Sequence, residues 1–226
     1  FMSTIAAIST AVGNSGISII RLSGKKSLDI IKKIFTNYNK LKPNNIIYGK
    51  IKENNNIIDN VLVSYFKAPN SYTGEDVCEI NCHGGIAVTN TVLDLVLKNG
   101  AVMADPGEFS KLAFLNGKID LSKAEATIDL INSKTKKELE IASKALNGDI
   151  YIKVKELRQK LIEIISNIEV NIDYPEYDFD VVEIEKINKL IEYELNELNK
   201  LSSTYDQGKY IKNGVNIALV GLPNVR

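Results

Sequence analysis

The 226-residue sequence has one histidine, two cysteines and no surplus of either charge, with 28 Lys and Arg against 28 Asp and Glu. Without a positive surplus, wrapping of nucleic acid by bulk potential is excluded, and any RNA contact must be local. Two cysteines four residues apart, Cys78 and Cys82, build no disulfide framework and suit a reducing cytoplasm. No charged-then-apolar leader is recognised and no apolar run reaches bilayer length, so a cytoplasmic protein without membrane association is expected. The single histidine, His83, has no evident Ser or Cys partner, which favours a capping or turn role over catalysis.

What is present is an ordinary globular composition, 44% hydrophobic and 25% charged, enough for one or two domains with real cores. Apolar runs at Thr4 to Thr10 and Gly16 to Leu22 flank the turn cluster Val12-Gly13-Asn14-Ser15 and predict a strand, a turn and a strand. Leu28, Ile31, Ile34 and Phe35 recur at helical spacing within Lys26 to Phe35. Ile46 to Ile51 and Val61 to Phe66 read as a hairpin with Glu53-Asn54-Asn55-Asn56 near its tip. After the polar loop Ala68 to Asp76, a strand from Val77 to Cys82 passes through His83-Gly84-Gly85 into a helix ending at Asn99-Gly100. Strand, glycines and helix start together suit an anion or a carbonyl, a weak signal alone. Asp105-Pro106-Gly107-Glu108 predicts another helix, with Asp105 as N-cap and Pro106 as its first residue.

The chain changes character at Asn116 to Ala126. Asn116-Gly117 is a helix stop, and Ser122 with Glu125 has the form of a capping box. Beyond it, Ala124, Ile128, Ile131, Thr135, Leu139, Ala142 and Leu146 step by three and four, as the buried face of one helix should. A second helix carries Ile152 to Ile172 and a third Ile184 to Leu201, three long helices that predict a bundle. The acidic, aromatic stretch Asp173 to Asp180 lacks calcium-loop spacing and reads as a solvated interhelix loop, so no metal site is expected in these domains. Val215 to Val220 is an apolar strand running into Gly221-Leu222-Pro223-Asn224-Val225-Arg226, where a phosphate-binding loop begins and is cut off.

Three charges stand in unusual settings. Arg21 interrupts an apolar strand and is costly unless its guanidinium reaches an acid or the solvent. Glu79 points away from the face shared by Cys78, Ile80 and Cys82. Lys118 lies on a short connector between two helix ends, where it is either a solvated hinge or aimed at a ligand over the first domain.

Ile20-Arg21-Leu22-Ser23-Gly24, Ser71-Tyr72-Thr73-Gly74-Glu75-Asp76, Glu79 with His83-Gly84-Gly85, Pro106-Gly107-Glu108-Phe109-Ser110, Ala113-Phe114-Leu115-Asn116-Gly117-Lys118 and Leu121-Ser122-Lys123-Ala124-Glu125-Ala126 together resemble the MnmE (TrmE) tRNA-modification GTPases. The resemblance implies an α+β folate-binding and dimerisation domain related to the aminomethyltransferases (1–118). It also implies the first part of an all-α helical bundle domain (119–212) and the start of an inserted α/β P-loop GTPase domain (213–226). It implies 5-formyltetrahydrofolate bound by Arg21, Glu79 and Lys118, and a homodimer formed through the N-terminal domain. A flavin-dependent partner, MnmG (GidA), would join in modifying carbon five of the wobble uridine of certain tRNAs. GTP, Mg2+ and K+ belong to the GTPase domain, where Asn224 resembles the loop asparagine that helps hold potassium. With that loop incomplete, the chain is expected to be part of a longer protein and not to bind or hydrolyse GTP itself. Cys78 and Cys82 do not match the family's functional cysteine and are expected in the core. Two other readings remain: a one-carbon aminomethyltransferase without GTPase activity, which leaves Val215 to Asn224 unexplained, and a non-catalytic dimeric scaffold.

Overall fold

The structure, a computed structural model, describes residues 3–173 and 181–213, with 218, 220 and 221. The loop at 174–180 and Asn224 lie outside the described residues, as does most of the expected strand at 215–220. The chain divides into two compact units, one ending at Leu121 and the other starting at Ser122.

The first unit is a six-stranded sheet with helices. Strands β1 (Ile5–Ile8) and β2 (Ser15–Ser23) pair antiparallel, as the two apolar runs and the turn between them imply. Helix α1 (Ser27–Ile34) follows, then a 3-10 turn at Tyr38–Lys40 that no periodicity announces. Strands β3 (Asn45–Glu53) and β4 (Asn56–Phe66) form a longer hairpin than expected, its tip reduced to Asn54 and Asn55, with Asn54 at a φ of 55°. Strand β5 (Val77–Gly84) takes in His83 and Gly84, so only Gly85 is left to cap α2 (Ile86–Lys98). Gly84 is required there, because a Cβ would fall 2.5 Å from the backbone oxygen of Ser15, which cannot swing aside. Strand β6 (Val102–Met103) adds parallel to β1 and gives the order β3-β4-β5-β2-β1-β6. One sheet face packs Ile20, Leu22, Val61, Val63, Cys78, Ile80 and Cys82 against Ile30, Ile31 and Ile34 of α1 and Val92 and Val96 of α2. Both cysteines are free and buried. Burial pushes the Cys78 thiol far up, with Asp76 adding to it, and raises Cys82, with Asp59 adding.

Helix α3 (Glu108–Leu115) starts differently from the sequence reading. Gly107, at a φ of 79°, is its N-cap, and Asp105-Pro106 belong to the preceding turn, in which the Glu108 amide donates to Asp105 O. The left-handed glycine sets the chain direction, and that excludes Asp105 from the cap.

The second unit holds α4 (Leu121–Asn132), α5 (Lys136–Asn147), α6 (Asp149–Asp173) and α7 (Val181–Asn213), with α5, α6 and α7 packed on one another. The single helix expected from Ser122 to Leu146 is therefore two. Thr135 is not on a buried face; it caps α5, accepting from the Glu138 amide while Glu138 Oε2 accepts from the Thr135 amide. Ser122 lies inside α4 and is no cap. Helices α6 and α7 run antiparallel, with Lys160 Nζ 2.9 Å from Glu194 Oε1 and Lys153 Nζ 3.8 Å from Glu197 Oε2. Among the described residues of this unit the buried apolar side chains are Ala126, Ala142 and Ile164 alone, and most of the expected stripe is exposed.

Candidate functional site

The side of β2 and β5 turned away from α1 and α2 carries the polar residues of interest. Side chains alternate along a strand, so with Cys78 and Ile80 committed to the core, Glu79 and Asn81 must face the other way. Arg21 and Glu79 are direct cross-strand partners, and Ser64 of β4 continues the row. Arg21 Nε donates to Glu79 Oε1 at 2.8 Å. This is the acid that an arginine in an apolar strand requires. The pair is only partly covered, the side chains being 29% and 19% exposed. Among the described residues the guanidinium spends Nε alone on hydrogen bonding, and Glu79 accepts through Oε1 alone. The terminal nitrogens of Arg21 and Oε2 of Glu79 thus form a donor edge beside an acceptor.

The loop from Lys67 to Asp76 lies over this pair and is fixed from several sides. Its ends are tied where the Ala68 amide donates to Asp76 Oδ1 and the Gly24 amide to Asp76 O, both at 2.9 Å. Buried Ser23 Oγ and Thr73 Oγ1 are 2.7 Å apart, and Ser23 also donates to Glu75 Oε2. Burial, with Asp76 beside it, pushes the phenol of Tyr65 up to about 12. Gly74, at a φ of 78°, is closely approached, since a Cβ would sit 3.1 Å from Asn116 and 3.2 Å from Lys118.

Lys118 belongs to the same arrangement. The Gly117 amide donates to Phe114 O and the Lys118 amide to Ala113 O at 2.8 Å, with Gly117 at a φ of 68°. This double bond pattern is a Schellman stop, which fixes the backbone from which Lys118 extends. Its Nζ donates to Pro69 O at 3.0 Å, and neighbouring Asn116 Nδ2 donates to Thr73 O at 2.7 Å. Arg21, Glu79 and Lys118 come from two strands and a helix stop; Arg21 and Lys118 both border the one loop, and Glu79 is held by Arg21.

Two aromatic residues not singled out from the sequence complete the surroundings. The Arg21 guanidinium carbon is 5.7 Å from the ring centres of both Tyr72 and Phe109, and Tyr72 Oη is 2.9 Å from Ser110 Oγ. Both residues lie within the motifs carrying the family resemblance. Their meeting at Arg21 depends on contacts between segments distant in sequence, which no local pattern encodes.

His83 takes neither the capping nor the turn role. It sits in β5, with Nδ1 2.6 Å from Asp59 Oδ1 and its amide donating to Asp59 Oδ2 at 2.8 Å. Among the described residues no cluster of His, Cys, Asp and Glu has the makings of a metal site, and no helix is long and apolar enough to cross a membrane.

Comparison with known proteins finds two family models along the chain. One, described as the GTP-binding protein TrmE N-terminus, matches residues 4–118, and the MnmE helical domain matches residues 121–216. A tRNA modification GTPase MnmE of Carboxydothermus hydrogenoformans is 47% identical over 98% of this chain and 50% of its own length. Proteins of the same description from Clostridioides difficile (46% identical, 98% and 50%) and Lactobacillus delbrueckii (45% identical, 98% and 49%) match equally broadly. The chain spans about half the length of these curated relatives. The mixed α/β unit and the helical unit follow the order of the two matching models, and the chain belongs to the MnmE (TrmE) family, of which it carries the N-terminal and helical regions.

Proposed function

We propose that this chain is the folate-binding and dimer-forming part of a cytosolic GTPase acting in tRNA modification, with 5-formyltetrahydrofolate held by Arg21, Glu79 and Lys118. The reading divides the chain into a folate-binding domain at 1–118, the first part of the helical domain at 119–212 and the opening of a GTPase domain at 213–226. GTP, Mg2+ and K+ belong to that last domain, in whose incomplete phosphate loop Asn224 would help hold potassium. With MnmG, the whole protein would build the one-carbon-derived aminomethyl or carboxymethylaminomethyl group on carbon five of the wobble uridine in certain tRNAs.

The observation that carries the folate reading is the half-used Arg21–Glu79 pair. A pterin presents an amino group and a ring NH beside a carbonyl, and a free carboxylate oxygen next to free guanidinium nitrogens matches that edge in one plane. Lys118 adds a positive charge on a fixed backbone, suited to a carboxylate or a polarised formyl oxygen. The bound folate would supply the carbon; these three residues would bind and orient it.

Isothermal calorimetry with 5-formyltetrahydrofolate tests this. The unaltered chain binds, and Glu79→Ala raises Kd about tenfold or more, as loss of a charge-assisted hydrogen bond requires. Glu79→Gln, which keeps one acceptor, falls between them. Unchanged affinity in Glu79→Ala with its fold intact removes the assignment.

A further inference from the structure

We propose that Tyr72 and Phe109 are positioning residues: they hold the Arg21 guanidinium between two rings, and the Tyr72–Ser110 hydrogen bond fastens the two sides of that holder together. Arginine is a long side chain that loses much rotamer freedom when it binds a ligand. The single bond from Nε to Glu79 fixes one atom and leaves rotation of the guanidinium plane open. Two ring centres at 5.7 Å, within the range of cation–π attraction, restrict that rotation. The rings come from independent elements, Tyr72 from the loop over β2 and β5 and Phe109 from the first turn of α3. The hydroxyl of Tyr72, 2.9 Å from the hydroxyl of Ser110, joins the loop to α3.

The loop has further ties to this part of the chain, through Asn116 to Thr73 O and Lys118 to Pro69 O. Those bonds set where the loop lies. Among the described residues the guanidinium has the Glu79 carboxylate at Nε and these two rings beside it, so the orientation of its free nitrogens depends on the rings. An arginine whose plane is already set loses less freedom on binding a planar edge, and the gain appears as affinity. This inference rests on the folate reading for its ligand, whereas the holding of Arg21 can be measured without one.

The experiment combines two readouts on the 226-residue chain. Water exchange of the Arg21 Nε–H is followed by NMR, the resonance being assigned by its loss in Arg21→Lys, and 5-formyltetrahydrofolate affinity is measured by calorimetry. In Tyr72→Leu with Phe109→Leu the exchange accelerates and Kd rises, each by about tenfold. Tyr72→Phe keeps the ring and loses the hydrogen bond to Ser110, so its exchange lies between that of the unaltered chain and that of Tyr72→Leu. Retained slow exchange or an unchanged Kd in the double variant overturns the proposal. If the double variant does not fold, the single variants decide: equal exchange in Tyr72→Leu and Tyr72→Phe overturns it. Absence of folate binding by the unaltered chain defeats the functional reading, and the exchange rates still decide whether the rings hold Arg21.

Discussion

The two units of this chain use similar amounts of apolar sequence to opposite effect. In the first, a sheet face and two helices enclose one another, and Ile20, Ile80, Val63 and Ile31 lose all contact with water. In the second, four helices carry well-phased apolar residues, yet Ile131, Ile172 and Ile184 remain largely exposed. A two-layer sheet and helix unit has a second surface for each apolar face. A row of helices with one stripe each closes only where stripes meet, here around Ala126, Ala142 and Ile164. Periodicity therefore identifies the face that seeks cover, and says nothing of whether the same chain supplies it.

Core truncation tests the contrast most severely. Ile80→Ala empties a site at the centre of the sheet and is expected to cost about 2–5 kcal/mol, because the removed atoms lose both burial and neighbours. Ile131, 76% exposed on α4, should change stability by no more than about 0.5 kcal/mol when replaced by alanine. Urea unfolding of both variants measures the difference. Equal losses would mean that the stripe on α4 is covered in solution, and the comparison would break.

A smaller effect is expected where the helical unit depends on local chemistry. Thr135 and Glu138 form a reciprocal cap at the start of α5, satisfying amides that no helical carbonyl can reach. Thr135→Ala should cost about 1 kcal/mol. Amide exchange should accelerate in Lys136–Asn147 and remain unchanged in β2, β4 and β5. Faster exchange in the sheet would show that the units share stability more closely than their separate cores suggest.

How much of this was legible in the sequence follows the range of the interaction. Asn116-Gly117 announces its stop because a left-handed residue after a helix is a local requirement, and the observed bonds to Ala113 and Phe114 answer it. Between Asn116 and Leu139 the capping pattern stands at Ser122 with Glu125 and at Thr135 with Glu138, and of these two only the second is a cap. The apolar steps of three and four run on unbroken across Ser133, Lys134 and Thr135, so periodicity masked the break that the second pattern marks. In the candidate site, the need of Arg21 for an acid or for solvent was readable because a cation in an apolar strand is costly wherever it lies. Its aromatic neighbours and the pairing of His83 with Asp59 were not, since both arise from register and loop placement between segments distant in sequence.

The smallest expected effect concerns acid. Glu197 on α7 accepts from Lys200 Nζ at 2.8 Å, with Lys153 of α6 at 3.8 Å, and its carboxyl is held below the usual range mainly by the Lys200 hydrogen bond and charge, with Lys153 adding less. A carboxylate whose folded value is depressed binds its proton more readily when unfolded. Its contribution is therefore present above the ordinary carboxylate value, near 4.3 in model peptides, and disappears as pH falls through the folded one. The helical unit should lose a little stability from about pH 5 downward. Glu197→Gln should flatten that slope, and salt should weaken it because the pair is open to solvent. Thermal melts read through amide signals of α6 and α7 would register the change, while those of β2 and β5 stay level. A slope of the same size in the sheet, abolished by the same variant, would mean that the acid-sensitive pair supports both units, and the helical region could no longer be treated as standing on its own.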